Sequence, residues 1–211
     1  MKINLDSPVI VFLTTVADFM ILNILFILCC APVITIGPAV SALYTITMRE
    51  ARHEGGYIFK PFFKAFKNNF KQAFLLSILY LIIGASFVFG VKFWIEKPEF
   101  STVNQVILVI TGVFTVIFIF SLFYVFALIA RFDNTIFKSV KNAVMLAVFN
   151  LRETFLLTLI HVIVIVLMIF TKGIWIFMMV GGFSVCAYIN SLLFIRVFRQ
   201  YEKIEGGNHD D

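Results

Sequence analysis

Charge is scarce in this sequence. Asp, Glu, Lys and Arg make up 14% of its 211 residues, against about 25% in an ordinary soluble domain. Hydrophobic residues reach 61%, where about 45–50% is usual. A soluble fold of this length has too little interior to hide that much apolar surface, so a soluble globule is excluded. Cysteine is scarce too. Cys29, Cys30 and Cys186 are odd in number, form no CxxC pair and lie in apolar runs, which reads as small buried hydrophobes rather than a disulfide framework or a zinc site. The three histidines, His53, His161 and His209, are far apart and make no metal signature. No GxxxxGK[ST] phosphate loop, HExxH or GxSxG is present, so those routes to nucleotide hydrolysis, metalloproteolysis and serine hydrolysis are closed. No cofactor or metal is expected, and the chain reads as non-enzymatic. Nor is a processing signal expected: Leu28 before Cys29 is too large for a lipoprotein signal, and residues 1–6 carry one lysine with no good cleavage site after them.

What is abundant is hydrocarbon-compatible sequence, including 27 phenylalanines. A spanning helix needs about 20 apolar residues. Gln72–Ile95, Val103–Ala130, Thr154–Thr171 and Ile174–Val197 qualify. The run Val9–Met48 would be about 60 Å long as one helix, and Pro32 and Gly37-Pro38 interrupt it. It reads as a hairpin: Val9–Ala31, an irregular Pro32–Gly37, and a short helix Pro38–Met48. The short limb either crosses or is re-entrant. The expected fold is therefore an all-α, polytopic transmembrane helix bundle of six crossings, or five with a re-entrant segment, carrying cytoplasmic amphipathic helices. It forms one domain over residues 1–205, with a disordered tail at 206–211.

Orientation follows from lysine and arginine. Arg49, Arg52, Lys60, Lys64, Lys67 and Lys71 share one loop; Arg131, Lys138, Lys141 and Arg152 another; Arg196, Arg199 and Lys203 the C-terminal end. The remaining links are poor in net positive charge: Lys92 and Lys97 are offset by Glu96 and Glu99, and Lys172 stands alone. The basic loops and the C-terminus are expected in the cytoplasm of a multi-pass cell-membrane protein. The N-terminus is inside with six crossings and outside with five. The net charge of +5 is then a matter of topology and anionic headgroups, not of nucleic acid. A weak parallel repeat relates about 38–95 to 103–171: Lys71–Leu79 matches Arg152–Ile160, and Ile58–Lys60 matches Ile136–Lys138, with a three-residue length difference between the two.

Two groups of residues are candidate sites. In Tyr57–Lys71, Phe59, Phe63, Phe66 and Phe70 fall on one helical stripe, and Lys60, Lys64, Lys67 and Lys71 on a second roughly 100° away. Pro61 suits the first turn. Such a helix either lies in the membrane interface or docks a cytoplasmic partner. Thr135–Asn150 is a less clean copy, with Ile136, Val140, Ala143 and Ala147 on one face. The second group is intramembrane and polar, hence costly: Asp18, Asn23, His161 and Asn190. Asp18 either faces the bundle or handles an ion or substrate. His161 is either an interhelical hydrogen-bonder or a proton relay. Asn190, with Tyr188, reads as interhelical glue, and Gly181, Gly182 and Ser184 as a close-packing face.

Asp6-Ser7-Pro8, Ala17-Asp18, Leu22-Asn23, Pro32-Val33-Ile34-Thr35-Ile36-Gly37-Pro38, Ala42-Leu43-Tyr44, Gly56-Tyr57-Ile58-Phe59-Lys60, Phe62-Phe63 and Phe70-Lys71-Gln72-Ala73 together resemble the YesL-like family of bacterial integral membrane proteins. The motifs lie in the first 75 residues; beyond them the likeness is one of hydropathy. The resemblance implies a bacterial cell membrane and a link to carbohydrate uptake, and it brings no catalytic residues. The expectation is an accessory component of a carbohydrate or other solute uptake system, partnered by lipid and by transporter components or a second copy. The alternative is a small self-contained transporter or channel. The Glu-Ala-Ala coupling run of import permeases is absent, and Glu50-Ala51 before Gly55 is a faint echo of it.

Overall fold

The computed structural model describes residues 8–96 and 101–206. Asp6, Ser7, Lys97, Glu99 and the tail from Gly207 on, His209 included, lie outside the described residues. Every regular element among those described is helical: α1 Pro8–Cys30, a 3-10 turn Val33–Thr35, α2 Ile36–Ala51, α3 Phe59–Ile95, α4 Thr102–Arg131, α5 Ile136–Phe149, α6 Leu151–Phe170, α7 Ile174–Phe177, a π-helical turn Met178–Gly182, and α8 Phe183–Gly206. Five stretches are long and apolar enough to cross a membrane: Phe12–Cys30, Phe59–Ile95, Thr102–Arg131, Leu151–Phe170 and Ile174–Glu202. Phe12, Leu81, Phe89 and Phe170 on their outer faces are each at least 67% exposed, the surface a soluble protein would bury. The fold is an all-α, multi-pass membrane bundle.

The short limb α2 is the most enclosed element. Its 16 residues span about 24 Å, short of the roughly 30 Å of hydrocarbon, so it is not a sixth full-length crossing. Gly37, Pro38, Ala39, Ser41 to Tyr44 and Ile46 to Met48 are all buried. Extended Pro32 forces the turn that starts it. There Thr35 Oγ1 sits 2.5 Å from Cys29 O, a carbonyl that the end of α1 leaves open, and 2.7 Å from Pro32 O. The turn makes a hairpin. At its open end Asp18, Phe19 and Leu22 of α1 meet Glu50 and Ile58. α2 thus returns the chain to the level of Asp18, part-way along α1.

α2 then runs antiparallel to the first half of α3. Asn69 Nδ2 donates to Ser41 Oγ at 3.0 Å, and Gly37 lies against Ser77 and Ala73. The basic segment and the crossing after it, expected as separate elements, are one helix of 37 residues. Past Pro61 in the first turn nothing breaks it. The lysines end at Lys71, but that changes the environment of the helix and not its backbone. The second copy of the repeat does break. At Asn150 the backbone leaves the helix (φ −114, ψ 56), and its amide donates to Leu146 O at 3.0 Å and Tyr201 Oη at 3.1 Å. The three extra residues of this copy fall between its matching segments, where the break occurs. The buried register survives across it: Ala65 and Ala143, Ala73 and Thr154, Leu76 and Leu157 are all buried.

The basic segments gather at one end. Arg131 Nε and Nη2 donate to Glu202 Oε1 at 3.2 and 2.9 Å. Thr45 Oγ1 donates to Ala130 O at 3.4 Å, and Ala51 shares a cleft with Arg196 and Arg199. Just beyond α2, Arg52 Nε and Nη2 clasp Glu54 at 2.6 and 2.8 Å, which holds that exposed carboxyl below its usual range.

The seat of α2 on α3 depends on Gly37. A Cβ there would overlap Ser77 Oγ and stand 2.9 Å from Ala73 O. Gly37→Ala should therefore cost about 1–3 kcal/mol and lower the thermal midpoint in detergent by roughly 2–4 °C per kcal/mol. Adding Ser77→Ala should recover only part, because the Ala73 carbonyl stays. Full recovery, or no loss in the single variant, would mean that α2 can step away from α3.

Candidate functional site

The four intramembrane polar candidates go to four different places. Asn23 is fully buried and faces the π-helical turn. Its Nδ2 donates to Met178 O at 3.0 Å and Met179 O at 2.8 Å, and its Oδ1 accepts from Ser184 N at 3.1 Å. A π turn displaces the backbone ladder, and at membrane depth any freed carbonyl or amide needs a partner from protein. One asparagine on α1 supplies both kinds. Its role is to hold α1 to the irregular start of α8.

Asn190 is also buried. Its Nδ2 donates to Tyr44 Oη at 3.4 Å, while its Oδ1 has no partner among the described residues. One residue on, Ser191 Oγ and Thr47 Oγ1 are 2.8 Å apart. Together these form a polar seam between α2 and α8. His161 lies elsewhere. Its Nδ1 is 2.7 Å from Leu157 O, and since a carbonyl only accepts, Nδ1 carries a proton. The ring packs on Phe123 of α4 at 4.7 Å between centroids. Asp18 is exposed on α1, beside a space of about 10 Å³ shared with Glu50, room for about one water. It makes no hydrogen bond or ion pair among the described residues. No hydrogen bond joins any two of the four. The sequence could flag their cost but not their partners, which lie up to 161 positions away. Among the described residues no three His, Cys, Asp or Glu come together to hold a metal, and all three cysteines are free.

The other candidate surface is the first half of α3. Lys60, Lys64, Lys67 and Lys71 are all exposed. Of the phenylalanine stripe, Phe59 and Phe63 are exposed, while Phe66 and Phe70 are half-buried. The rings touch in sequence: Phe59 to Phe63 at 5.1 Å, Phe66 to Phe70 at 5.5 Å, Phe70 to Phe74 at 5.9 Å. Phe62, beside the stripe, is the anchor: it is fully buried and packs edge-on to Phe63 at 5.7 Å. The α1–α2 hairpin backs this half of α3 from Ile58 to Ser77, so the lysines stand on a braced surface.

A family model described as "Protein of unknown function, DUF624" matches residues 19–91. The match takes in the second half of α1, all of α2 and nearly all of α3. No curated protein and no solved structure matches the chain. The chain is thus a multi-pass helical membrane protein whose first three helices are similar to a family of unknown function.

If Asn23 pins the π turn, Asn23→Leu should leave backbone groups unpaired at about 1–3 kcal/mol, a drop of roughly 5 °C in the thermal midpoint. Asp18→Asn, at a partnerless position, should move it by less than about 1 °C. Equal effects at the two positions would remove the pinning role from Asn23.

Proposed function

We propose that the protein is a non-enzymatic integral membrane component accessory to a carbohydrate or other solute uptake system, with the first half of α3 as its cytoplasmic contact surface. The observation that carries this reading is the continuity of α3 from Phe59 to Ile95. It joins the exposed lysines to a membrane crossing without a joint, so a partner held at Lys60, Lys64, Lys67 and Lys71 is coupled to the bundle. The dispersal of the buried polar groups into packing roles points the same way. The lysine and arginine distribution supports a cytoplasmic side for the basic end, and with it the C-terminus, in the cell membrane. The tie to carbohydrate uptake comes from the resemblance of the first 75 residues to YesL-like proteins, with which the DUF624 match agrees. Transporter components are the partners this reading favours, ahead of a second copy of the chain.

Photocrosslinking from positions 64 and 67 in native membranes should yield a discrete protein adduct. Lys64→Glu with Lys67→Glu should abolish its co-purification in mild detergent. Adducts with lipid alone would count against the proposal.

One observation favours the self-contained transporter instead: the π turn with Gly181 and Gly182 interrupts a helix that crosses the membrane, as substrate-binding helices of transporters are interrupted. Purified protein in liposomes tests it. Solute movement above protein-free liposomes that Asp18→Asn abolishes would replace the accessory reading. No movement of ions or of a broad sugar panel would leave the π turn as architecture.

A further inference from the structure

The end of α8 changes character within one turn. Ile189 and Leu192 are exposed and apolar, Ile195 is half-buried, and Arg196, Arg199 and Gln200 are exposed and polar. Leu192, Ile195, Arg196, Arg199 and Gln200 line, with Ala51 at the end of α2, an open cleft of about 390 Å³. That is within the roughly 300–1,000 Å³ range of small-ligand sites. Arg196 and Arg199 are three residues apart and so share a helix face. Neither makes a hydrogen bond or ion pair among the described residues. The lining contains no carboxylate, and Glu202, the acid next along the helix, is engaged by Arg131 at 2.9 Å.

Two free guanidiniums side by side offer planar, paired donors, the geometry that suits a phosphate. The floor beneath them decides what kind of phosphate. A free anion needs only the arginines and gains nothing from Leu192 and Ile195. A ligand with an anionic head and a hydrocarbon tail uses both halves, and the cleft sits where α8 passes from apolar to basic. We propose that this cleft is a binding site for an anionic phospholipid, its phosphate held by Arg196 and Arg199 with Gln200 at the head, and an acyl chain along Leu192 and Ile195. The site stands whether or not α3 docks a partner.

The test uses the full chain in mild detergent, with bound lipid read by native mass spectrometry after addition of phosphatidylglycerol or phosphatidylcholine. Wild type should retain phosphatidylglycerol preferentially. Arg196→Gln with Arg199→Gln should lower that retention on the order of twentyfold, about fivefold per arginine, while Lys141→Gln, at another exposed basic residue, on α5, should leave it unchanged. Leu192→Ser keeps the charge and should still weaken retention severalfold. Variants are compared only where the lipid-free unfolding midpoint matches wild type, and Leu192→Ser carries the test if the arginine pair does not meet that condition. Equal loss with Lys141→Gln would overturn the proposal as diffuse charge. Displacement by a large excess of inorganic phosphate would overturn it in favour of a free anion.

Discussion

Phe194 is where the bundle is tied together. On α8, it is completely buried and stands edge-on to Tyr44 of α2 at 5.2 Å and to Tyr124 of α4 at 5.6 Å. Each tyrosine hydroxyl is in turn hydrogen-bonded: Tyr44 accepts from the Asn190 amide of α8, and Tyr124 bonds Thr154 of α6 at 2.9 Å. Three helices thus meet at one ring, and Tyr124 carries the link on to α6. Within lipid the hydrophobic effect does not drive helices together, because the tails are as apolar as the side chains. Packing and hydrogen bonds must do it. Two aromatic pairs of about 0.5–1.5 kcal/mol each, with both polar tips satisfied, are a local concentration of what is available.

The same constraint accounts for α2. A helix this short could not satisfy its surroundings if it faced hydrocarbon at one end and water at the other. Surrounded by α1, α3, α4 and α8, it has protein on its flanks. Small residues make that possible: Gly37, Ala39, Ser41 and Ala42 let neighbouring backbones approach. Ser41 and Thr47 then bond across the contacts they permit. The irregular backbone of the bundle falls under the same rule. The 3-10 turn is served by Thr35 and the π turn by Asn23. The break before α6 is served by Asn150, whose amide also reaches Tyr201. Each interruption has a polar side chain assigned to it.

Much of this was legible in the residues. Hydropathy placed α4 within a residue at each end, and Pro32 and Gly37-Pro38 marked the hairpin turn. Positive charge grouped segments that the fold brings to one end. Three things were hidden. Periodicity could not show that the stripes before Lys71 and the apolar run after it are one helix, because hydropathy reports surroundings and not continuity. Gly181 and Gly182 signalled close packing, yet a π turn is a single extra residue that leaves the apolar pattern almost unchanged. The partner of Asn23 was invisible for a different reason: a buried asparagine advertises that it needs hydrogen bonds, but its acceptors are backbone carbonyls, which carry no sequence signature at all.

The length of α3 has a mechanical side. At 37 residues it is a rod of about 55 Å, nearly twice the thickness of the hydrocarbon. It is gripped along its first half by the α1–α2 hairpin and along its second by α4. A rod gripped along both halves has no free joint, so it carries its neighbours with it. Tilting it by about 10° about its midpoint near Ser77 would move the Phe59 end and the α1–α2 hairpin together through roughly 5 Å, given an arm of about 28 Å.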